Sequence, residues 1–134
     1  MRLITRSTDY AIRAVCYMAK EQKGVVSVTE LTRALRMPRP FLRKILQSLT
    51  KDGLVRSYKG IGGGFELAVP AGRIRVADIV RVFQGPLALN ECFFKKRACP
   101  NRRTCPLKKR LDGIARRAED ELGSITVREL IKGA

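Results

Sequence analysis

Three cysteines lie close together in the C-terminal third of the sequence. Cys92, Cys99 and Cys105 fall within residues 91–106, which also carry five lysines and arginines. Thiolates bind metals and take part in redox reactions, and neighbouring cations stabilise the thiolate form. These residue types therefore indicate a metal site or a thiol switch.

The spacing of the three cysteines favours some kinds of metal site over others. Six residues separate Cys92 from Cys99, and five separate Cys99 from Cys105. Structural zinc sites usually place paired ligands two to four residues apart, so zinc fits poorly. Three separate thiolates suit an iron–sulfur cluster, and proline follows both Cys99 and Cys105. Thiol or disulfide redox chemistry is the main alternative, followed by zinc.

The sequence contains no histidine. This excludes His-containing zinc sites, His-based acid–base catalysis and catalytic triads. We therefore expect that the protein is not an enzyme and has no small-molecule substrate. The fourth cysteine, Cys16, falls inside a predicted helix, where we expect a small buried apolar residue.

The charge of the chain favours a polyanionic partner. With 134 residues the chain is long enough for one domain, and its formal net charge is +16. Such an excess usually serves nucleic acid. The sequence has only eight aromatic residues and no tryptophan, which disfavours a single-strand binder and favours double-stranded DNA. No apolar run indicates a membrane span or signal peptide, so we expect a cytoplasmic protein without a membrane partner.

The N-terminal part of the chain has the pattern of a winged helix-turn-helix. A first helix is predicted from about Ser7 or Thr8 to Lys20, and "SVTELTRALRM" and "PRPFLRKILQSLTKDG" predict two further helices separated by a tight break. Ser27 and Glu30 have the spacing of a capping box. The alternating segments "LVRSY" and "FELAV" then predict a hairpin with a glycine-rich tip.

The C-terminal part is predicted to be helical on both sides of the cysteines. Val76, Ile79, Val80 and Phe83 recur at helical spacing after Pro70, and residues 87–105 are predicted to form a loop. From Pro106 a long helix carries an apolar stripe suited to pairing between subunits: Leu107, Leu111, Ile114, Ala115, Ala118 and Leu122. The alternative is that this stripe packs on its own domain. Thr126 and Glu129 predict a last capped turn.

These patterns predict a mainly α fold with a small β wing. We expect a winged helix-turn-helix DNA-binding domain at residues 1–84, a cysteine-containing cluster loop at 85–105, and a dimerisation helix with a C-terminal turn at 106–134.

Basic residues concentrate where such a fold meets DNA. Between residues 36 and 59 the sequence has seven basic residues and one acid. The N-terminal part of the second helix of a helix-turn-helix enters the major groove, and the wing approaches the minor groove or a phosphate. The predicted DNA contacts are therefore Arg39, Arg43, Lys44, Arg56, Lys59 and Gly60.

Three features together resemble the Rrf-type family of bacterial winged-helix regulators, which includes IscR-like and NsrR-like members. They are the start "MRLITRSTDYAIRA", the wing "GLVRSYKGIGGGFELA", and a three-cysteine loop before a long helix. The resemblance covers essentially the whole chain. It implies a homodimer that crosses at the C-terminal helix, binds a palindromic operator and tunes its DNA affinity with an iron–sulfur cluster.

The resemblance also implies a set of cluster ligands. The three loop cysteines of the family correspond to Cys92, Cys99 and Cys105. IscR-like members take a histidine as fourth ligand, and this chain has Lys108 at that position. NsrR-like members take an aspartate from the partner subunit at the start of the first helix, which corresponds to Asp9. A 4Fe–4S cluster is favoured over 2Fe–2S.

The sequence therefore predicts a dimeric transcriptional regulator, a repressor, whose cluster senses oxygen, nitric oxide or iron–sulfur status. The first alternative is a cluster-free regulator of the same family, controlled by thiol oxidation or by a partner protein. A small basic redox carrier and a non-specific architectural DNA protein are further alternatives.

Overall fold

The computed structural model describes residues 3–21, 24–87 and 105–133. In these parts of the chain the fold is mainly helical, with one small antiparallel hairpin. The elements in chain order are α1 (Arg6–Glu21), α2 (Val28–Leu35), α3 (Arg39–Lys51), β1 (Val55–Tyr58), β2 (Gly64–Leu67), α4 (Val76–Gln84), α5 (Pro106–Ser124) and α6 (Val127–Ile131). A short 3-10 helix at Ala71–Arg73, which the sequence analysis did not predict, precedes α4.

Helix α1 begins at a fixed point because its first residues are held to the end of α4. The hydroxyl of Thr5 accepts a hydrogen bond from the Thr8 amide at 3.3 Å, which caps the helix. Gln84, the last residue of α4, accepts from the Thr5 amide at 2.9 Å and donates to the Leu3 carbonyl at 3.1 Å. One side chain therefore joins the N-terminus of α1 to the C-terminus of α4.

Helices α2 and α3 form the predicted helix-turn-helix. The Ser27 side chain caps α2 by accepting from the Glu30 amide at 3.0 Å, as the sequence predicts. Arg36 then adopts a left-handed conformation, with φ of 53°, which ends α2 and turns the chain. Pro38 and Pro40 lie at the start of α3, where a missing amide costs nothing.

The core lies between α1, α2 and α3. Apolar side chains spaced three and four residues apart on each helix point into it. Leu31, Leu42, Leu46 and Leu49 are fully buried there. The rings of Tyr10 on α1 and Phe41 on α3 pack edge to face, with centroids 5.5 Å apart. This contact joins α1 directly to the first turn of α3.

Strands β1 and β2 form the wing, paired from Val55↔Leu67 to Tyr58↔Gly64. The strands are shorter than the predicted "LVRSY" and "FELAV". An isolated bridge attaches the wing to the segment before α2: the Val26 amide donates to the Phe65 carbonyl at 2.7 Å, and the Phe65 amide donates back at 2.8 Å. The wing is therefore fixed to the helix-turn-helix.

The long helix α5 packs on its own domain along only part of its length. Ala115 and Leu122 are buried, and Leu122 packs with Val76 and Val80 of α4. Leu107 and Ile114, on the other edge of the same stripe, are 63% and 43% exposed. One edge of the stripe therefore packs on its own domain through α4. The other edge is exposed and is the part available for pairing with a second subunit.

The C-terminal end of the chain is hydrogen-bonded to the residues at the start of α4. The Val76 amide donates to the Ile125 carbonyl, and the Val127 amide donates to the Ile74 carbonyl, both at 2.9 Å. The Thr126 side chain caps α6 through the Glu129 amide at 3.2 Å, as predicted. No helix within the described residues combines the length and apolar character needed to cross a bilayer.

Candidate nucleic-acid interface and cysteine segment

A groove of about 670 Å³ opens between the start of α2, one face of α3 and the wing. Its walls are formed by the two elements predicted to contact DNA, which are the second helix of the helix-turn-helix and the hairpin. Its lining residues are Ser27, Val28, Thr29, Arg39, Arg43, Gln47, Thr50, Lys51, Ser57, Tyr58, Lys59, Gly60, Gly63, Gly64 and Phe65.

Four of the six predicted DNA contacts line this groove: Arg39, Arg43, Lys59 and Gly60. Arg39 is oriented by α2, since its Nη2 donates to the Thr29 hydroxyl at 2.7 Å. Lys44 and Arg56 are exposed on α3 and β1 but are not among the lining residues. Side chains that lie beside the protein groove can still contact phosphates that flank the bound bases.

Three further polar residues of α3 line the groove without having been predicted as DNA contacts: Thr50 and the pair Gln47 and Lys51. This pair follows Arg39 and Arg43 at intervals of four residues, which places all four side chains along one helix face. That spacing was available in the sequence. Glutamine can bond the edge of adenine and arginine the edge of guanine, so this face carries side chains able to read bases.

Two hydrogen bonds brace the wing at and near its tip. The Tyr58 hydroxyl donates to Glu66 Oε1 at 2.6 Å across the hairpin. The Gly63 amide donates to the Gly60 carbonyl at 3.0 Å, which closes the turn. The groove therefore has a second wall of defined shape.

Replacing Ser27 with alanine is expected to lower the free energy of unfolding by about 1 kcal/mol, because a helix cap is lost. Thr126→Ala removes the equivalent cap from α6, outside the groove, and is the matched control. Urea denaturation should show similar losses for both variants. DNA binding below the unfolding transition should weaken only for Ser27→Ala, because α2 carries Val28 and Thr29 in the groove. Equal weakening in both variants would contradict this placement of α2.

The described residues include one of the three clustered cysteines. Cys105 is free, half-buried and located immediately before α5, and its carbonyl accepts from the Lys109 amide at 3.2 Å. Cys92 and Cys99 lie outside the described residues, as does most of the predicted loop. The chain enters that segment at Leu87, whose amide donates to Glu119 Oε1 on α5 at 2.8 Å.

Asp9, the predicted fourth ligand, lies in the first turn of α1 with its side chain 48% exposed. Its Oδ2 is 3.2 Å from Nε of Arg13, one turn further along the helix. An acidic residue at this position also interacts favourably with the helix dipole, so this placement suits either role. Lys108, where IscR-like members have a histidine, pairs with Asp112 at 2.5 Å.

Within the described ranges, no three His, Cys, Asp or Glu side chains are grouped so that they could hold a metal ion. Cys16 lies in α1 and packs against the core, as expected of a small apolar residue. Burial raises the pKa of the Cys16 thiol. Cys16 is therefore held in its less reactive thiol form.

Comparisons with known proteins give one consistent result. A family model described as Rrf2, iron-dependent transcriptional regulator, matches residues 4–133. Protein aau3 of Rhizobium meliloti (strain 1021) is 35% identical over 133 residues, which cover 98% of this chain and 86% of that protein.

Solved structures of regulators have the same fold. CymR, the global cysteine regulator of B. subtilis, superposes with a TM-score of 0.82 at 24% identity, covering 100% of this chain and 99% of that one. IscR of T. potens gives 0.78 at 26% identity, covering 97% and 86%. The oxidized form of Staphylococcus aureus CymR gives 0.76 at 26% identity, covering 98% and 96%.

Proposed function

The chain belongs to the Rrf2 family of transcriptional regulators, and from this premise we propose that it is a homodimeric repressor that binds a palindromic DNA operator. Its affinity for the operator is controlled by an iron–sulfur cluster that senses oxygen, nitric oxide or iron–sulfur status. The protein acts in the cytoplasm and is a regulator, not an enzyme.

The observation that carries the DNA-binding proposal is the groove between α3 and the wing. Arg39, Arg43, Lys51 and Lys59 line it, within a chain of net charge +16. Phosphate contacts by such residues provide affinity, while arginine and glutamine side chains in the major groove provide sequence specificity. Lys44 and Arg56 are assigned to the flanking phosphates.

The open edge of α5 supports the proposal of a homodimer. Leu107 and Ile114 expose apolar surface that a second copy of the helix would cover. In this arrangement residues 1–84 bind DNA, residues 85–105 carry the cysteines and residues 106–134 supply the dimer contact. Two DNA-binding units held about 34–36 Å apart would match two half-sites one helical turn apart.

The donor set of the chain fits an iron–sulfur cluster. Cys105 is free and half-buried at the start of α5, and Asp9 presents a half-exposed carboxylate. Cys92, Cys99 and Cys105, with Asp9 of the partner subunit, would hold the cluster. When bound, the cluster would supply a centre that reacts with oxygen or nitric oxide.

The remaining part of the switch depends on the chain's own contacts. Glu119 holds the entry to the cysteine segment, and Gln84 holds the start of α1 to the end of α4. Tyr10, next to Asp9, packs on Phe41 in the first turn of α3. In this proposal a change at Asp9 is transmitted to α3 through the contact of Tyr10 with Phe41, and it shifts the population of DNA-competent dimers.

The second candidate is a cluster-free regulator controlled by thiol oxidation or by a partner protein. It is favoured by the likeness to S. aureus CymR, for which an oxidized form is known, and by the three closely spaced cysteines. Iron, sulfide and visible absorbance of anaerobically purified protein distinguish the two. Iron and sulfide support the cluster, whereas their absence after reconstitution supports the thiol switch.

Replacing Arg43 with alanine is expected to weaken binding to a duplex selected by the wild-type protein by roughly 5- to 150-fold, as expected for loss of one bidentate base contact. The variant should also discriminate less between bases at one base pair of each half-site. Arg116→Ala is the control, since it removes the same charge from the face of α5 opposite Leu107. Fluorescence anisotropy measures both affinities. Equal losses for the two variants would show that Arg43 contributes only charge.

A further inference from the structure

The tip of the wing presents an apolar side chain entirely to solvent. Ile61 has a relative exposure of 109%, whereas the other exposed large apolar residues of the described chain lie between 39% and 63%. Its neighbours Lys59 and Gly60 both line the groove beside α3. Ile61 is therefore the most exposed large apolar side chain of the described residues, at the edge of a groove that Arg39, Arg43, Lys51 and Lys59 make cationic.

The backbone of the tip forms a tight turn. A Cβ at Gly63 would lie 2.9 Å from the Gly60 carbonyl oxygen and still closer to that of Tyr58, so the turn packs tightly under Ile61. The Tyr58–Glu66 hydrogen bond and the two Val26–Phe65 hydrogen bonds brace the hairpin below it. A rigid projection loses little conformational entropy when it is inserted into a partner.

The position of Ile61 selects the partner surface. With α3 in the major groove, a wing beside it approaches the adjacent minor groove. Proteins that deform DNA there insert apolar side chains, isoleucine among them, between base steps. Such insertion is easiest at pyrimidine–purine steps, and the guanine N2 amino group, which isoleucine cannot accept from, obstructs it.

We infer that Ile61 is an apolar wedge that enters the minor groove flanking each half-site and makes the regulator prefer A·T-rich, easily unstacked steps there. This inference rests on the proposed DNA-binding function. It adds a specificity determinant that reads DNA shape, separate from the base contacts of α3. Lys59, next to it, neutralises a phosphate at the groove edge.

Ile61→Ala is expected to weaken binding to the selected duplex by about 5- to 50-fold, since three buried carbons are lost. The slope of log Kd against log salt should stay the same, because no ionic contact is removed. Lys59→Ala should instead reduce that slope by about one. Leu130→Ala, an equally apolar truncation on α6, is the control and should leave DNA affinity unchanged. All three side chains are exposed, so the melting temperatures should match that of wild type.

A DNA substitution tests the minor groove directly. Replacing flanking G·C pairs one at a time by inosine·cytosine removes only the minor-groove amino group. Wild type should bind more tightly at one such position, and Ile61→Ala should gain nothing there. Equal affinities for wild type and Ile61→Ala, or equal gains from inosine, overturn the wedge alone. A wild-type protein that selects no sequence from a random duplex pool overturns the proposed function and the wedge together.

Discussion

Anaerobically purified Cys99→Ala protein is expected to contain neither iron nor acid-labile sulfide, while the wild-type protein contains both and absorbs visible light. Iron–sulfur clusters are held by cysteine thiolates, and the proposed site has only three of them. Cys16→Ala is the matched control, because Cys16 packs against the core and is not a proposed ligand. It should retain the wild-type iron content.

Asp9→Ala in the same assay addresses the fourth ligand. A single carboxylate replaced by water should leave a cluster that assembles but is lost more readily, so intermediate iron content is expected. Arg13→Ala removes the ion-pair partner of Asp9 and should not reduce iron. Wild-type iron content in Asp9→Ala would mean that Asp9 is not a cluster ligand and only interacts with the dipole of α1. A wild-type protein without iron even after reconstitution would leave the three cysteines as a thiol switch.

The second large effect is expected from Gly64→Ala, at the start of β2, where the wing lies against Val26. A Cβ there would lie 2.7 Å from the Val26 carbonyl carbon and closer still to its oxygen. The strand would have to separate from Val26, with loss of two backbone hydrogen bonds. We expect the free energy of unfolding to fall by about 1–3 kcal/mol and DNA affinity to fall at least about tenfold, because the wing is no longer fixed beside α3.

Gly113→Ala is the control for this substitution. Gly113 lies within α5 and an added Cβ has ample room, since its nearest contact would be 3.8 Å from Arg117. Alanine should therefore stabilise the helix by about 0.5–1 kcal/mol. Chemical denaturation compares the two variants. A Gly64→Ala protein as stable as wild type would mean that the start of β2 tolerates a side chain beside Val26.

The helix-turn-helix and the wing could be predicted because their signals are local. Ser27, Pro38 and Pro40 mark helix starts, and the periodicity of the leucines in α3 marks its buried face. The same local signals predicted the cap of α6 at Thr126. The resemblance to the family was confirmed by the family match over residues 4–133.

The contacts that position the site could not be predicted, because they join residues far apart in sequence. The clamp of Gln84 on Leu3 and Thr5 is one example, and the pairing of Arg75 with Thr126 is another. A periodic pattern reports which face of a helix is buried but not which element covers it. For this reason the stripe on α5 was predicted, whereas its division between α4 and the open edge was not.

That division of α5 makes the helix a lever. Its C-terminal half is anchored at Ala115 and Leu122, and Arg75 adds a hydrogen bond of 2.6 Å to the Gly123 carbonyl. The arm from Ala115 back to Cys105 is about 15 Å long, so a tilt of about 5° at the anchored end displaces the cysteine end by about 1 Å. In a dimer joined along this arm, small rotations at the fulcrum are magnified into changes in the distance between the two DNA-binding units.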